Sequence, residues 1–523
     1  MKVVTSSEMR EIDRLAIETH GVRGEDLMEH AGAAVAEAIT ELIQQKVSGV
    51  PQVRFLAGRG NNGGDAFVAA RLLQAKRIAV DVVLTGSAAE LKGDARIHFD
   101  RMQKLGVPTF EVHTPNQWNT LDTQAGAPNV FVDGLLGTGT SGPAREPLAS
   151  GIAYLNRVAD HAVVIAIDLP SGLDPDTGVA HEPTVRADLT ATLGLPKRGL
   201  LETRALAYVG RLCVYPLPFP SAAMDAIAGT ADCTVIDPRD WPNRLQRRAR
   251  DTHKGTFGHA LIIGGSLDYV GAMDLAGRAA LRGGCGLVTL RVPEPIGLRV
   301  GGGTPELIVR TAEATDTGSL ASRLEATWRS SIDQYDVVAI GPGMTRHEET
   351  RHLVEQMVSE CPRPLILDAD AITVLEGQSK RLTQARSPII LTPHPGEFAA
   401  LTNQSVADVQ SNRIEQAQRF ATETGTTIIL KGAHTVVASP DAKAAVNITG
   451  NPGMAAGGSG DVLTGLLASL MAQGLAPGPA AHQAVWLHGT AGDLAATQVT
   501  EPGLIASDII QHIPGAWRKA MAL

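Results

Sequence analysis

Three observations predict two doubly wound α/β domains. The chain has 523 residues, more than one hydrophobic core usually organises. Short apolar runs of strand length alternate with longer amphipathic stretches, the pattern of parallel strands joined by crossover helices. A proline-rich segment breaks that alternation near the middle.

In the first half, strands are expected at 53–57, 79–85, 130–132, 163–168, 189–193 and 211–215, with a helix over 66–75. In the second half, they are expected at 259–263, 286–291, 337–340, 364–368, 389–392 and 427–431, with a helix over 461–473. Pro216, Pro218, Pro220, Pro238 and Pro242 mark the connector, because proline fixes φ and removes a donor. The break is placed within 217–237, giving domains 1–220 and 241–523 joined by a linker at 221–240. The motifs of the two halves differ, which argues against a duplicated fold.

Composition narrows the function. Aromatic residues are 4% and glycines number 55, as in α/β domains with aliphatic cores and loops that approach ligands closely. Net charge is −9, and the short cluster Arg244, Arg247, Arg248 and Arg250 reads as a solvated face near the linker, so nucleic acid is not an expected partner. Cys213, Cys233, Cys285 and Cys361 are widely spaced without CxxC, which argues against a zinc site or disulfide framework. The opening MKVVTSSEMREID turns polar too soon for a signal peptide, and no apolar run spans a bilayer. A cytoplasmic protein without membrane partners is expected. Apolar faces on the outer helices suit domain or subunit contacts, and a homo-oligomer is the expected assembly.

The first strand runs into Gly58-Arg59-Gly60-Asn61-Asn62-Gly63-Gly64-Asp65, in which Gly58, Gly60 and Gly63 spell GxGxxG. Such a loop before a helix presents free N–H groups to an anion. A hydride-transferring dehydrogenase fits poorly, since the acid that should end the next strand, Asp81, sits within it. A plain turn capped by Asp65 is the bland alternative, and the polar density of Asn61, Asn62 and Asp65 favours ligand contact. Asp133 and Asp168 close two further strands, each leading into a small-residue loop. Carboxylates at the carboxyl ends of parallel strands face the crevice where such folds bind ligands.

NNGGDAFVAARLL, VDGLLGTG and DLPSGLDPDTG, together with the opening EMREIDRLAIETHGVRGEDLMEHAG, resemble the N-terminal domain of bacterial bifunctional NAD(P)H-hydrate repair enzymes over about residues 1–215. The resemblance implies a Rossmann-like three-layer domain that epimerises C6 of hydrated NADH or NADPH (NADHX, NADPHX). It implies substrate contacts at Asn61, Asn62, Gly63, Gly64 and Asp65, and at Gly137, Thr138, Gly139, Thr140, Ser141, Gly142 and Pro143. Asp168 would stand at the reacting end as the catalytic carboxylate, with Asn62, Asp133 and Ser171 holding a potassium ion.

In the second half, Asn451-Pro452-Gly453-Met454-Ala455-Ala456-Gly457-Gly458-Ser459-Gly460-Asp461 precedes a helix. Small residues there make a nest of N–H groups for a transferring phosphoryl, and the aspartate after it can accept a proton from an attacking hydroxyl. A simple helix cap is the alternative for Asp461. No GxxxxGK[ST] loop occurs. Lys431, at a strand end before Gly432, Ala433, His434 and Thr435, is read as a nucleotide contact, against the alternative of a surface lysine.

With HKGTFGH, LIIGGSLDYVGA, GPGM and TPHPGEFAAL, this half resembles the ADP- or ATP-dependent NAD(P)H-hydrate dehydratases, which are ribokinase-like, over about residues 235–520. The resemblance implies substrate contacts at Ala272, Gly343, His394 and Asp461, with Asp461 catalytic, and nucleotide contacts at Lys431–Thr435 and Gly460. Bacterial members use ADP, so ADP with Mg2+ is the expected co-substrate. A ribokinase-like kinase of a small alcohol, or a non-catalytic N-terminal module, are the rival readings.

Overall fold

The computed structural model describes residues 1–47, 49–125, 128–139, 142–229, 233–241, 248–322, 331–441 and 443–522. Two compact units emerge, Lys2–Ala231 and Asp232–Leu523, the latter together with Met1.

The first unit is built on a parallel sheet of β1 (Gln52–Ala57), β2 (Ala79–Thr85), β3 (Thr109–Val112), β4 (Val130–Gly134), β5 (Val163–Ile167), β6 (Leu189–Leu193) and β7 (Arg211–Tyr215), in the order β3-β2-β1-β4-β5-β6-β7. Its strands are near-continuous apolar runs because both faces are covered. Val53, Phe55 and Ala57 pack on one face with the helices Gly24–Lys46 and Asn61–Ala75, while Leu56, Val83, Phe131 and Val164 pack on the other with Trp118 and Tyr154. Burying a side chain such as Phe55 stabilises the domain by roughly 1.5–3 kcal/mol. Arg54 is fully buried, donating to both carboxylate oxygens of Asp81 at 2.8 and 3.0 Å and to the Tyr154 hydroxyl at 3.1 Å. Asp81 is thus held in the sheet by Arg54, consistent with its position inside the strand.

In the second unit, β8 (Cys233–Val235), β9 (His259–Ile263), β10 (Leu287–Pro293), β11 (Ile308–Ala312), β12 (Val337–Ile340), β13 (Leu365–Leu367), β14 (Ile389–Leu391), β15 (Thr427–Leu430), β16 (Thr435–Ala438) and β17 (Ala444–Asn447) form one mixed sheet. Its order is β11-β10-β9-β12-β13-β14-β15-β16-β17-β8, with β16 antiparallel to both neighbours. The helices Val270–Arg282, Ser459–Ala472, Pro477–Val499 and Ala506–Ala522 supply much of the core against it.

Several boundaries differ from the sequence reading. The first helix after β1 starts at Asn61, so Asn61–Asp65 occupy its opening turns instead of a loop. Glycine is required within this turn: at Gly63 a Cβ would stand 1.9 Å from the Gly58 carbonyl oxygen. The helix after the second nest likewise starts at Ser459, placing Gly460 and Asp461 in its first turn. Strands β3, β8, β11, β16 and β17 add to those expected, and residues 221–240 carry the short helix Ser221–Asp225 and β8. Arg244 and Arg247 lie outside the described residues, while Arg248 lies 3.6 Å over the Phe257 ring. Among the described residues no helix is long and apolar enough to cross a membrane.

Candidate functional sites

The strand order reverses at β1/β4 in the first sheet and at β9/β12 in the second, the switch points beside which such folds bind ligands at the strands' carboxyl ends. Most of the described site residues lie at strand ends or on the loops and helices that follow them.

In the first unit the Gly58 amide donates to Gly134 O at 2.9 Å, tying the turns after β1 and β4 together. Asp133, at the end of β4, accepts from the Ser171 amide and hydroxyl, both at 2.7 Å, and from the Leu135 amide at 3.2 Å. Burial nevertheless raises its carboxyl to about 6, outweighing these donors. Asn62 Nδ2 donates to Leu136 O at 2.8 Å, and the Leu136 amide donates to Ser171 Oγ at 2.9 Å. Asn62, Asp133 and Ser171 therefore form one linked cluster of oxygen donors. A buried carboxylate, a hydroxyl and a carbonyl suit a hard cation, which would offset the cost of burying the Asp133 charge.

Asp168 follows β5 with φ +65°, a left-handed conformation that is costly for a residue with a Cβ. Its Oδ1 accepts from Lys197 Nζ, from Thr192 Oγ1 at 3.2 Å and from the Leu193 amide at 3.1 Å. Lys197 is only 1% exposed and also donates to Leu193 O at 2.8 Å. Asp65 is buried and its carboxyl is driven well above the ordinary range, by burial first and then by Asp168 and Asp13. Asp13 is raised to about 6, by burial, with Lys197 opposing and Asp168 reinforcing the shift. Lys197 thus pairs with Asp168 and acts on Asp65 and Asp13 through its charge alone.

Sequence reasoning missed Lys197 and Asp13. A basic residue soon after a strand end, in Gly194-Leu195-Pro196-Lys197, was the available signal for the first. Of the loop after β4, Gly137 lies against Asn62, where an added Cβ would come within 3.3 Å of the Asn62 Cβ. The Thr138 carbonyl accepts from Arg10 at 2.9 Å. Gly139, Gly142 and Pro143 continue the loop, and Gly142 turns at φ +79°. Thr140 and Ser141 lie outside the described residues.

In the second unit Asp368, just after β13 and 1% exposed, accepts from Lys431 Nζ at 3.1 Å, Thr392 Oγ1 at 2.6 Å and Thr464 Oγ1 at 2.8 Å. Lys431 is also 3.9 Å from Glu397, and a Cβ on Gly460 would stand 3.4 Å from its ammonium. The ammonium therefore sits at the amino end of helix Ser459–Ala472, where free N–H groups already favour an anion. Burial and Asp368 raise the Asp461 carboxyl to about 7, Lys431 opposing and Asp370 adding to the shift.

Gly458 enters this helix at φ +87°, with its would-be Cβ 2.4 Å from Leu275 Cδ1. Helix Val270–Arg282 thereby meets the nest, and near its start Ala272 lies beside Gly343, whose would-be Cβ is 3.3 Å from the Ala272 Cβ. His394 caps helix Pro395–Thr402, Nδ1 accepting from the Gly396 and Glu397 amides at 3.0 and 3.2 Å. Its Nε2 is 3.4 Å from Glu397, which links it to Lys431.

Gly432, Ala433 and His434 form the turn between β15 and β16, and Thr435 begins β16. The buried Arg413 guanidinium fixes this turn, donating to the carbonyls of Leu430 at 2.8 Å, Lys431 at 3.0 Å and Ala433 at 2.6 Å. Asp368, Arg413 and His488, whose Nε2 is 3.3 Å from Ser459 Oγ, were not found from sequence. Only Asp368 carried a signal, as an acid at a strand end like Asp133 and Asp168.

Comparison with known proteins covers both halves. Residues 260–515 match the NAD(P)H-hydrate dehydratase family, and residues 24–199 match the family described as YjeF-related protein N-terminus. A bifunctional NAD(P)H-hydrate repair enzyme of Moorella thermoacetica is 37% identical over 514 residues, covering 98% of this chain and 96% of that one. Its counterpart in Coxiella burnetii is 34% identical over 507 residues, covering 97% of each chain. Among solved structures, the ADP/ATP-dependent NAD(P)H-hydrate dehydratase from Bacillus subtilis, co-crystallised with ATP/Mg2+, is 32% identical, covering 55% of this chain and 98% of that chain with a TM-score of 0.48. The chain belongs to the family of bifunctional NAD(P)H-hydrate repair enzymes.

Proposed function

We propose that the first domain interconverts the R and S epimers of NADHX and NADPHX, and that the second dehydrates the S form to NAD(P)H while ADP is split to AMP and phosphate. The observation that carries this reading is the pair of strand-end sites, each pairing a carboxylate with a lysine, buried Lys197 in one and half-buried Lys431 in the other, near a carboxyl of altered acidity.

C6 of the hydrate bears a hydroxyl beside the ring nitrogen, so the nitrogen can expel it and leave an iminium that water re-enters from either face. The protein must orient the ring and move a proton. Asp168 is the catalytic carboxylate in this reading, with Asn61–Asp65 and Gly137–Pro143 around the substrate. Asn62, Asp133 and Ser171 would hold potassium, which supplies positive charge beside the site when bound.

In the second domain Asp461 takes the proton from the C6 hydroxyl, which attacks the terminal phosphoryl of ADP. The amides of Gly457–Gly460 and the Lys431 ammonium stabilise the charge that develops there. Ala272, Gly343 and His394 are assigned to the hydrate, and Lys431–Thr435 with Gly460 to the nucleotide. Magnesium bound with the nucleotide would screen its phosphates. The phosphorylated C6 oxygen then leaves as phosphate, and loss of a C5 proton restores the dihydropyridine.

Product analysis tests the reading. One AMP and one phosphate per NADH restored is the expected stoichiometry. A stable phosphorylated product, with no NADH formed, would instead identify a kinase of a small alcohol.

A further inference from the structure

We infer that epimerisation is divided between two carboxyl groups, with Asp65 as the acid that protonates the departing hydroxyl and Asp168 as the base that receives the proton of the entering water. Asp13 is the positioning residue that keeps the proton on Asp65. The inference rests on the epimerase reading of the first domain and goes beyond its single catalytic carboxylate.

The two groups approach from different elements. Asp65 stands on the helix after β1 and Asp168 at the end of β5, and β4 lies between those strands in the sheet. Their surroundings differ in kind. Asp168 receives an ammonium, a hydroxyl and an amide on one oxygen, and all three favour the anion. Asp65 is buried, and the charges of Asp168 and Asp13 add to that burial in favouring its protonated form. Lys197 also acts on Asp65, with a weaker and opposite effect. On the other side of helix Asn61–Ala75, Glu29 is engaged by Arg71 and lies 3.5 Å from His98. Two carboxylic acids separated in this way take the acid and base roles.

The placement of Asp13 is fixed by backbone contacts. The Val4 amide donates to Pro196 O and the Arg198 amide to Val4 O, both at 3.0 Å, which lays the start of the chain along the segment carrying Lys197. In the helix Ser6–Arg14 that follows, Met9 Cε would be 3.1 Å from a Cβ on Gly194. Asp13 is one turn further along the same helix face, and its carboxyl is influenced by both Lys197 and Asp168.

The cycle balances. Asp65 gives its proton to the C6 hydroxyl, the C–O bond breaks to release water, and the nitrogen lone pair forms the C6–N double bond. Water then adds at C6 from the other face, its proton passes to Asp168, and the electron pair returns to nitrogen. Transfer of that proton from Asp168 back to Asp65 resets the site, with inversion at C6 as the only net change.

The test follows interconversion of a single purified epimer by the full-length protein across pH, for the wild type, Asp65→Asn, Asp65→Glu and Asp13→Asn. The wild-type rate should fall on the alkaline side as Asp65 loses its proton. Asp65→Asn should lower kcat by about 10²–10⁴-fold with little change in KM, and Asp65→Glu should restore part of it. Asp13→Asn, by removing a like charge, should move the alkaline limb to lower pH. Asp65→Asn retaining wild-type kcat, or Asp13→Asn leaving the limb in place, overturns the division of roles. The Asp13→Asn profile decides alone if Asp65→Asn does not fold. A wild-type chain that fails to interconvert the epimers overturns the epimerase reading itself, and this inference with it.

Discussion

Lys197 Nζ donates to Asp168 Oδ1 from a side chain that is 1% exposed, so the carboxylate after β5 carries a buried counter-ion from the segment after β6. Removing one partner leaves the other charge unpaired. Lys197→Met should therefore destabilise the first domain by about 3–5 kcal/mol and abolish epimerisation. Urea unfolding of the full chain together with an epimer-exchange assay checks both effects.

Asp461 gives a pH-dependent expectation. Its carboxyl is raised from the ordinary 3.8 to about 7, so the folded state binds that proton more tightly than the unfolded chain. The resulting stability is complete below 3.8 and is lost as pH rises through about 7. Asp461→Asn, which cannot ionise, should be more stable than the wild type above that range by on the order of 1–4 kcal/mol. It should show no such advantage in acid. Calorimetry of the full chain at both ends of the range measures this, and the same variant should have no dehydratase activity.

Adjacent glycines of the nest should respond differently. An alanine at Gly458 meets Leu275 at 2.4 Å and must adopt φ +87°, whereas nothing lies within 4 Å of a Cβ at Gly457. Gly458→Ala should cost at least about 1–3 kcal/mol, and Gly457→Ala should leave the thermal transition unchanged. Differential scanning calorimetry separates the two.

For the oxygen cluster, Ser171→Ala removes the hydroxyl that bonds Asp133 and is assigned to potassium. Epimerisation by the wild type should be faster in potassium chloride than in tetramethylammonium chloride at equal ionic strength. In Ser171→Ala that difference should disappear.

His394 has a capping role separable from its assigned contact with the hydrate. His394→Ala loses the cap on Gly396 and Glu397 and should cost about 1 kcal/mol, whereas His394→Asn retains a capping oxygen and should recover that stability. A dehydratase KM that stays high in His394→Asn would assign the ring itself to substrate binding.

The features legible in the sequence were those written locally. Glycines after β1 and before helix Ser459–Ala472, and acids ending β4 and β5, stand out because turns and strand ends restrict residue choice. Short or partly exposed strands such as β3 and β11 escaped detection because too few residues carry the apolar signal. Asn61–Asp65 read as a loop from poor helix formers, yet packing against Gly58 and Met28 makes them helical. Asp13, Arg413 and His488 become functional candidates only through the chain distant in sequence that folds against them. No local pattern of residues encodes those meetings.

The most direct test of the central claim supplies both NADH-hydrate epimers with ADP or ATP and magnesium and follows recovery of the reduced-nicotinamide absorbance. Complete recovery by the full chain is predicted, falling to about half in Asp168→Asn, which leaves one epimer unused, and to none in Asp461→Asn. No recovery with either nucleotide from a folded protein would contradict the repair function, and full recovery in Asp168→Asn would contradict the role given to that carboxylate.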